Sequence, residues 1–221
     1  MTDLDLSTFH GITLYSHPDD HYSHSVRFLL AEKNINYRLI LVDEEQQEDL
    51  AQINPYATLP TLVDPQTKLF KASIINEYLD DRYRQNRLYA ESPAEKAQHQ
   101  QLLWRIELDW FRLADILLKH PDTLDAAAQK IARKELLDTL ISLDPLFQHY
   151  QYFMSENFSI IDCVLAPLLL RVFHLGLEIS PKRSKGLLLY CTRLFNRESL
   201  QQSMTLIEKS KYQTILKHFR K

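Results

Sequence analysis

Strand-forming runs occur only between residues 12 and 86, and this asymmetry constrains the fold more than any other feature of the sequence. Short β-branched and aromatic runs alternate there with amphipathic runs. The strand candidates are "ITLYS", "YRLILVD", "LPTLVDP" and "KLFK", and the helix candidates are "YSHSVRFLLAEKN", "EEQQEDLAQIN" and "SIINEYLDDRY", which Ser73 would cap. A helix joins the first two strands, and a turn at Asp64–Pro65 joins the last two. The order β-α-β-α-β-β-α predicts a small sheet with helices on both faces.

After residue 86 the strand signals end and only helical periodicity remains. Apolar residues recur at three- and four-residue intervals over 94–119 and 123–150, which predicts two long helices. The segment "FSIIDCVLAPLLLRVFHLGLE" is apolar nearly all round and opens on Ser159-x-x-Asp162, a pattern typical of a capped helix inside a bundle. Two shorter helices are predicted around 184–195 and 197–208.

These two patterns predict an α/β domain followed by an all-α domain. Residues 10–86 form the first domain, residues 87–93 a polar linker, and residues 94–221 an all-helical domain with a basic tail. No acidic residue follows Glu208, so we interpret the lysine-rich end of the chain as a frayed basic tail.

Composition excludes several classes of function. The chain has only three glycines, whereas dinucleotide-binding loops and P-loops each need several to bring the backbone close to phosphate. A net charge of −3 is unlike that of a strongly basic nucleic-acid-binding domain. The acidic N-terminus is unlike a secretory signal, no apolar run has the length of a membrane span, and Cys163 and Cys191 are too few for a disulfide framework. We therefore predict a cytoplasmic protein with buried reduced thiols and no cofactor.

The segment "SHPDDHYSH", residues 16–24, is the densest cluster of chemically active side chains. His17, Asp19, His21 and His24 offer metal-ligand atoms, but no cysteine accompanies them and no glutamate is placed as a general base. We interpret the segment as a solvated loop and the start of a helix, which Asp19 or Asp20 would cap. No metal site is predicted.

Three segments resemble the glutathione transferase superfamily. "VRFLLAEKN" is similar to its first helix, "INPYATLPTLVD" to its segment with a cis-proline before a strand, and "FSIIDCVLAPLL" to its capped sixth helix. The resemblance implies a thioredoxin-like N-terminal domain and an all-helical C-terminal domain, with Pro60 in the cis form.

A more specific resemblance runs from about residue 12 to residue 203. "YSHSVRFLLAEK", "SIINEYLDDRY", "RIELDW", "SIIDCVLAPLLLR" and "TRLFNRESL" are similar to the stringent starvation protein A family. That resemblance implies a non-enzymatic transcription regulator, which binds RNA polymerase and sigma factor as a homodimer during stress or stationary phase. A heterodimer with a paralogue is the alternative assembly. DNA contact is expected only indirectly or through the basic tail.

The resemblance also locates the position at which a glutathione transferase carries its catalytic hydroxyl or thiol. That position is Asp20, and an ionised carboxylate repels a developing thiolate and cannot donate a hydrogen bond to it. Tyr15 is better explained as a packed strand residue. We therefore predict that the chain is not an enzyme, with a weak or atypical glutathione-dependent transferase as the alternative.

The remaining glutathione-site positions are only partly preserved. Leu59 and Pro60 offer the backbone groups that bind the tripeptide, but the acidic residue expected before Ser73 is Ala72. Asp20, Leu59, Pro60, Ala72 and Ser73 thus form a predicted degenerate glutathione site.

Two surfaces are candidates for partner contact. Members of the resembled family carry a Pro-His-Pro motif where this chain has Arg84, Gln85 and Asn86, and we assign a contact surface to these residues and Ser92. A dimer interface is expected across helices 73–83 and 94–119, where Trp104, Leu108 and Phe111 lie off the main apolar stripe. The segment "RIELDWFR" has two interpretations. Its charged residues form close ion pairs along one helix face, or its acidic residues face the cleft between the domains or the dimer interface.

Overall fold

The structure is a computed structural model that describes residues 11–42, 50–119, 125–177 and 179–220. Its strands are β1 (Ile12–Ser16), β2 (Tyr37–Leu41), β3 (Thr61–Asp64) and β4 (Thr67–Phe70). They form one sheet in the order β2-β1-β3-β4. β1 and β2 are parallel because helix α1 (His21–Glu32) connects them, whereas β3 and β4 are antiparallel because a tight turn joins them. The four predicted strands are confirmed.

Helix α2 (Ala72–Arg82) packs against α1 and follows the hairpin. Lys71 is the N-cap residue of this helix, and its backbone has a φ of 73°. The Lys71 side chain makes no capping hydrogen bond. The prediction that Ser73 caps this helix is therefore wrong. The predicted helix "EEQQEDLAQIN" lies largely outside the described residues.

The second half of the described chain is helical. Its elements are α3 (Pro93–Ile106), a π-helical turn (Glu107–Phe111), α4 (Arg112–Lys119), α5 (Ala126–Ser142), α6 (Asp144–His149), α7 (Ile160–His174), α8 (Lys185–Phe195), α9 (Glu198–Ser203), α10 (Leu206–Lys211) and α11 (Gln213–Phe219). The predicted helix over 94–119 is present with its π-helical turn. The one predicted over 123–150 is divided at Leu143, because Pro145 opens a new helix.

Two predictions about the end of the chain are wrong. The helix predicted over 197–208 stops at Ser203, because Thr205 and Glu208 form a capping box that starts α10. The basic segment is not frayed over its described residues: Tyr212, Leu216 and Phe219 are buried, while Lys209, Lys211 and Lys217 are exposed. Apolar burial of one face gives this segment a fixed position.

Helix α7 lies at the centre of the molecule. Ser159 and Asp162 form the predicted capping box, with the Asp162 carboxylate accepting from the Ser159 backbone N–H at 2.8 Å. Cys163 and Cys191 are free and buried, as predicted, and burial raises the pKa of both thiols. Helix α1 packs against α7 and α9, so one apolar core spans both halves and positions the corner between β1 and α1.

Candidate functional site

The corner between β1 and α1 is built from buried polar side chains. His21 and His24 are only 1% and 0% exposed, so the solvated-loop interpretation is wrong for these two histidines, whereas residues 17–20 are partly exposed and the predicted helix start is present. Within the described residues, no group of three or more histidine, cysteine, aspartate or glutamate side chains is placed to hold a metal ion. The corner is an internal junction of the protein.

Asp20 is the N-cap of α1, as predicted. Its Oδ1 accepts from the Ser23 backbone N–H at 2.5 Å, and its Oδ2 accepts from Ser23 Oγ at 3.1 Å. Burial raises the pKa of this carboxyl, although the Ser23 hydrogen bond and nearby positive groups oppose the shift. Both carboxylate oxygens are therefore committed to the helix start, and no hydroxyl or thiol stands at this position.

Tyr15 is packed in the sheet, as expected. Its ring lies in an apolar cluster with Val42 and Leu50, and Leu59 packs against the same cluster. Its hydroxyl is buried without a hydrogen-bond partner among the described residues, and burial raises its pKa. A phenol in this environment stays protonated and in place.

Two of the predicted glutathione-site residues meet in one cleft of the described structure. Ala72 and Ser73 line a narrow cavity between α1, α2 and the π-helical turn, together with Tyr22 and Asn76. Ser73 also lines a wider groove of about 200 Å³ between α2 and α3. Asp20, Leu59 and Pro60 line neither space, although the Leu59–Pro60 bond is cis, as predicted.

The hydroxyl of Tyr22, a residue that lines the narrow cavity, is already engaged. Tyr22 OH donates to Asp115 Oδ2 at 3.0 Å, and burial together with the Asp115 charge raises the pKa of Tyr22. The His21 ring is tilted against Tyr22 and meets Phe111 edge to face, with its Nε2 3.5 Å from Asp115 Oδ1. Asp115 was not among the predicted site residues, because 93 residues separate it from Tyr22 and no local pattern links them.

A buried ion cluster behind the corner was also missed. Arg27 Nη2 donates to both Glu208 oxygens at 2.7 and 2.6 Å, and Arg171 Nη2 donates to Glu208 Oε1 at 2.6 Å and Asp19 Oδ1 at 3.0 Å. Lys211 Nζ lies 2.6 Å from Asp19 Oδ2. The C-terminal helices are thereby fastened to the start of α1, and α7 supplies the middle link.

The four residues of the predicted contact surface are exposed. Arg84, Gln85 and Asn86 lie in the loop after α2, and Ser92 precedes α3. Lys33, directly after α1, contacts three backbone carbonyl oxygens of this loop, which the sequence pattern did not indicate.

The predicted dimer face is only partly as expected. Trp104 and Leu108 are 58% and 46% exposed, and Ile74 on α2 is 49% exposed. Phe111 is buried against His21 and Tyr22, so it does not contribute to this face.

The charges of "RIELDWFR" do not form the close ion pairs of the first interpretation among the described residues. Glu107 instead faces Lys71 of the other half at 3.3 Å, and it lines the groove between α2 and α3. Arg105, Asp109 and Arg112 are exposed.

Comparison with known proteins identifies both the fold and the relatives. Models of the glutathione S-transferase N-terminal and C-terminal domains match residues 10–81 and 109–198. A delta-class glutathione transferase of Nilaparvata lugens superposes with a TM-score of 0.79 at 20% identity, covering 95% of this chain and all of that one. The predicted glutathione transferase fold is confirmed.

Sequence similarity is greater to another group of proteins with this fold. A stringent starvation protein A homolog of Pasteurella multocida is 41% identical over 194 residues, which are 87% of this chain and 90% of the relative. Glutathione S-transferase GstB of Escherichia coli is 26% identical over 187 residues, or 77% of this chain and 88% of the relative. No helix in the described part of the chain has the length and apolarity needed to cross a bilayer.

Proposed function

Because the chain belongs to the stringent starvation protein A family, we propose that it is a non-enzymatic transcription regulator that binds RNA polymerase holoenzyme with its sigma factor during stress or stationary phase. Identity of 41% over 87% of the chain to a relative of that name is the observation that carries the proposal. The predicted cytoplasmic location is the compartment in which such a partner is available.

The residue at the start of α1 supports the proposal that the chain has no catalytic activity. Glutathione-dependent chemistry needs a donor that stabilises a thiolate, and at this position Asp20 offers a carboxylate that caps α1. Ala72 lacks the carboxylate that would pair with the ligand's ammonium group. We propose that Asp20, Leu59, Pro60, Ala72 and Ser73 are a degenerate glutathione site.

We further propose a homodimer formed across α2 and α3. Ile74, Trp104 and Leu108 are exposed apolar side chains on this face, and burial of such groups stabilises association. A heterodimer with a paralogue would use the same face.

The second candidate function is a weak glutathione-dependent transferase. Two observations favour it: Ser73 lines a groove of about 200 Å³, and GstB is a 26% identical relative. A conjugation assay with glutathione and a chlorodinitrobenzene substrate separates the two functions. We expect background rates, whereas turnover that Tyr15→Phe abolishes would establish an enzyme.

The direct test is capture of purified RNA polymerase. The immobilised protein is incubated with core enzyme and with holoenzyme at low salt, and a column without the protein measures background. We expect retention of holoenzyme above background, with loss at high salt if charged groups contribute. Failure to retain either form at low salt contradicts the proposal.

A further inference from the structure

Lys33 follows α1 directly and is buried with its ammonium group enclosed. Its Nζ lies 2.8 Å from the carbonyl oxygen of Tyr83, and 3.1 Å from those of Gln85 and Asn86. It also lies 2.7 Å from Asp80 Oδ1, and neither charged side chain is exposed. Burial of a lysine ammonium group is costly unless hydrogen-bond acceptors replace the water that it loses. The three carbonyl oxygens and the Asp80 carboxylate are these acceptors, and the carbonyl contacts connect the loop to the end of α1.

Asp80 holds the other end of the same loop. Its Oδ1 accepts from the Leu88 backbone N–H at 2.9 Å, and its Oδ2 accepts from the Tyr89 backbone N–H at 3.1 Å. Five backbone groups between Tyr83 and Tyr89 are therefore bound by one ion pair. We call this segment, residues 83–89, the Lys33 loop.

The carbonyl oxygens of Tyr83, Gln85 and Asn86 point inward to Lys33, whereas the side chains of residues 84–86 lie at the surface. Arg84, Gln85 and Asn86 are all exposed, and Asn86 has a φ of 51°, a conformation that its short polar side chain tolerates. The Arg84 guanidinium has no hydrogen bond or ion pair to another described residue. It is an uncommitted cation on a fixed backbone.

The other cations around the loop are already neutralised. Arg87 pairs with Asp81 at 2.7 Å, and Lys96 pairs with Asp81 at 2.6 Å. Arg82 pairs with Asp64 at 2.9 Å. A phosphate backbone requires a continuous basic surface, whereas one free guanidinium suits a carboxylate on a protein.

We propose that Lys33 and Asp80 are positioning residues that hold the Lys33 loop in the conformation that presents Arg84 to an acidic protein surface. A preformed loop loses less conformational entropy on binding than a mobile one. The assignment of RNA polymerase holoenzyme as the partner rests on the proposed function. The ordering of the loop by Lys33 is independent of that function.

Hydrogen exchange tests the ordering without any partner. In the wild-type protein, we expect the Leu88 and Tyr89 amides to be protected. Lys33→Met should raise exchange across the Lys33 loop about tenfold or more, with little change in α5. Lys134→Met, at an exposed lysine of α5, is the matched control and should change neither region.

Two results would overturn the ordering. One is wild-type exchange of the Leu88 and Tyr89 amides at the rate of an unstructured peptide, which needs no variant and is decisive even if Lys33→Met does not fold. The other is a folded Lys33→Met protein whose loop exchanges at the wild-type rate.

Binding to purified holoenzyme tests the presentation of Arg84. Arg84→Glu should weaken binding about tenfold or more while leaving loop exchange unchanged, and Lys33→Met should weaken binding by a similar factor. Lys134→Glu carries the same charge change elsewhere and should bind normally. If Arg84→Glu or Lys33→Met binds holoenzyme with wild-type affinity, the proposal that the loop presents Arg84 to the partner is overturned. Failure of the wild-type protein to bind overturns the proposed function and this partner assignment, while the exchange data still decide the ordering.

Discussion

His24 is a buried histidine held neutral among permanent charges. Its ring is 0% exposed, with Nδ1 3.3 Å from Glu208 and 3.4 Å from Arg171 Nη1, and Nε2 2.9 Å from Ser203 Oγ. Burial, together with the Arg27 and Arg171 charges, lowers its pKa well below the ordinary 6.5. Arg27 and Arg171 both pair with the Glu208 carboxylate, and the imidazole of His24 remains a neutral hydrogen-bonding group.

This shift predicts a loss of stability in mild acid. Below pH 6.5 the unfolded chain binds a proton at His24 that the folded protein excludes, so the free energy of unfolding falls as the pH falls. Each such histidine contributes a slope of up to about 1.4 kcal/mol per pH unit. Urea titrations between pH 7 and pH 5 should show a smaller slope for His24→Gln than for the wild type. His218→Gln, at an exposed histidine, is the control for the substitution itself. Equal slopes for His24→Gln and the wild type would contradict this assignment.

At the scale of elements, α10 owes its position to one side chain. Glu208 caps its own helix, with Oε2 accepting from the Thr205 backbone N–H at 2.9 Å, and also receives both Arg27 and Arg171. Both arginines are fully buried and depend on this carboxylate for compensation. The short helix is therefore part of the core's charge balance.

Removal of that carboxylate should be severe. Glu208→Gln leaves two buried guanidinium groups without their main counter-charge, and we expect a loss of about 3–5 kcal/mol in the free energy of unfolding. Glu198→Gln, at an exposed glutamate of α9, should cost less than about 0.5 kcal/mol. Urea unfolding measures both, and similar midpoints for the two variants would show that the cluster is not needed for stability.

The elements differ in how far sequence predicts them. The Ser159–Asp162 capping box was predicted because its signal lies within a few residues, whereas the cis Leu59–Pro60 bond was predicted from the family resemblance of residues 53–64. The Arg27–Glu208 pair was not, because 181 residues separate its members and periodicity does not specify partners. The same reason explains why Asp20, one of the two residues predicted as a cap, does cap the helix, whereas His21 and His24 were wrongly assigned to solvent.

At the scale of the whole molecule, the exposed apolar groups on α2 and α3 define a face that a second copy would cover. Trp104 and Ile74 line the groove between these helices, and Leu108 lies on the adjoining π-helical turn. Burial of a tryptophan at the centre of an interface contributes strongly to binding. The proposed dimer therefore depends on Trp104 more than on the surrounding charges.

A single charge on this face should separate the subunits. Trp104→Arg should give the monomer mass of 26.1 kDa by light scattering at concentrations where the wild type is a dimer. Ile131→Arg, at a residue of α5 that is also 58% exposed, is the matched control and should remain dimeric. A monomeric wild type contradicts the proposed dimer, and a dimeric Trp104→Arg protein moves the interface to another face.

The fastening of α1 to α10 has a consequence for synthesis on the ribosome. Arg27 is translated 181 residues before Glu208, which corresponds to roughly 10 to 40 s at ordinary elongation rates. Until then, the nascent α/β half holds an arginine whose final counter-charge has not been made. The charge pairing of Arg27 can therefore be completed only after the segment that contains Glu208 has been made.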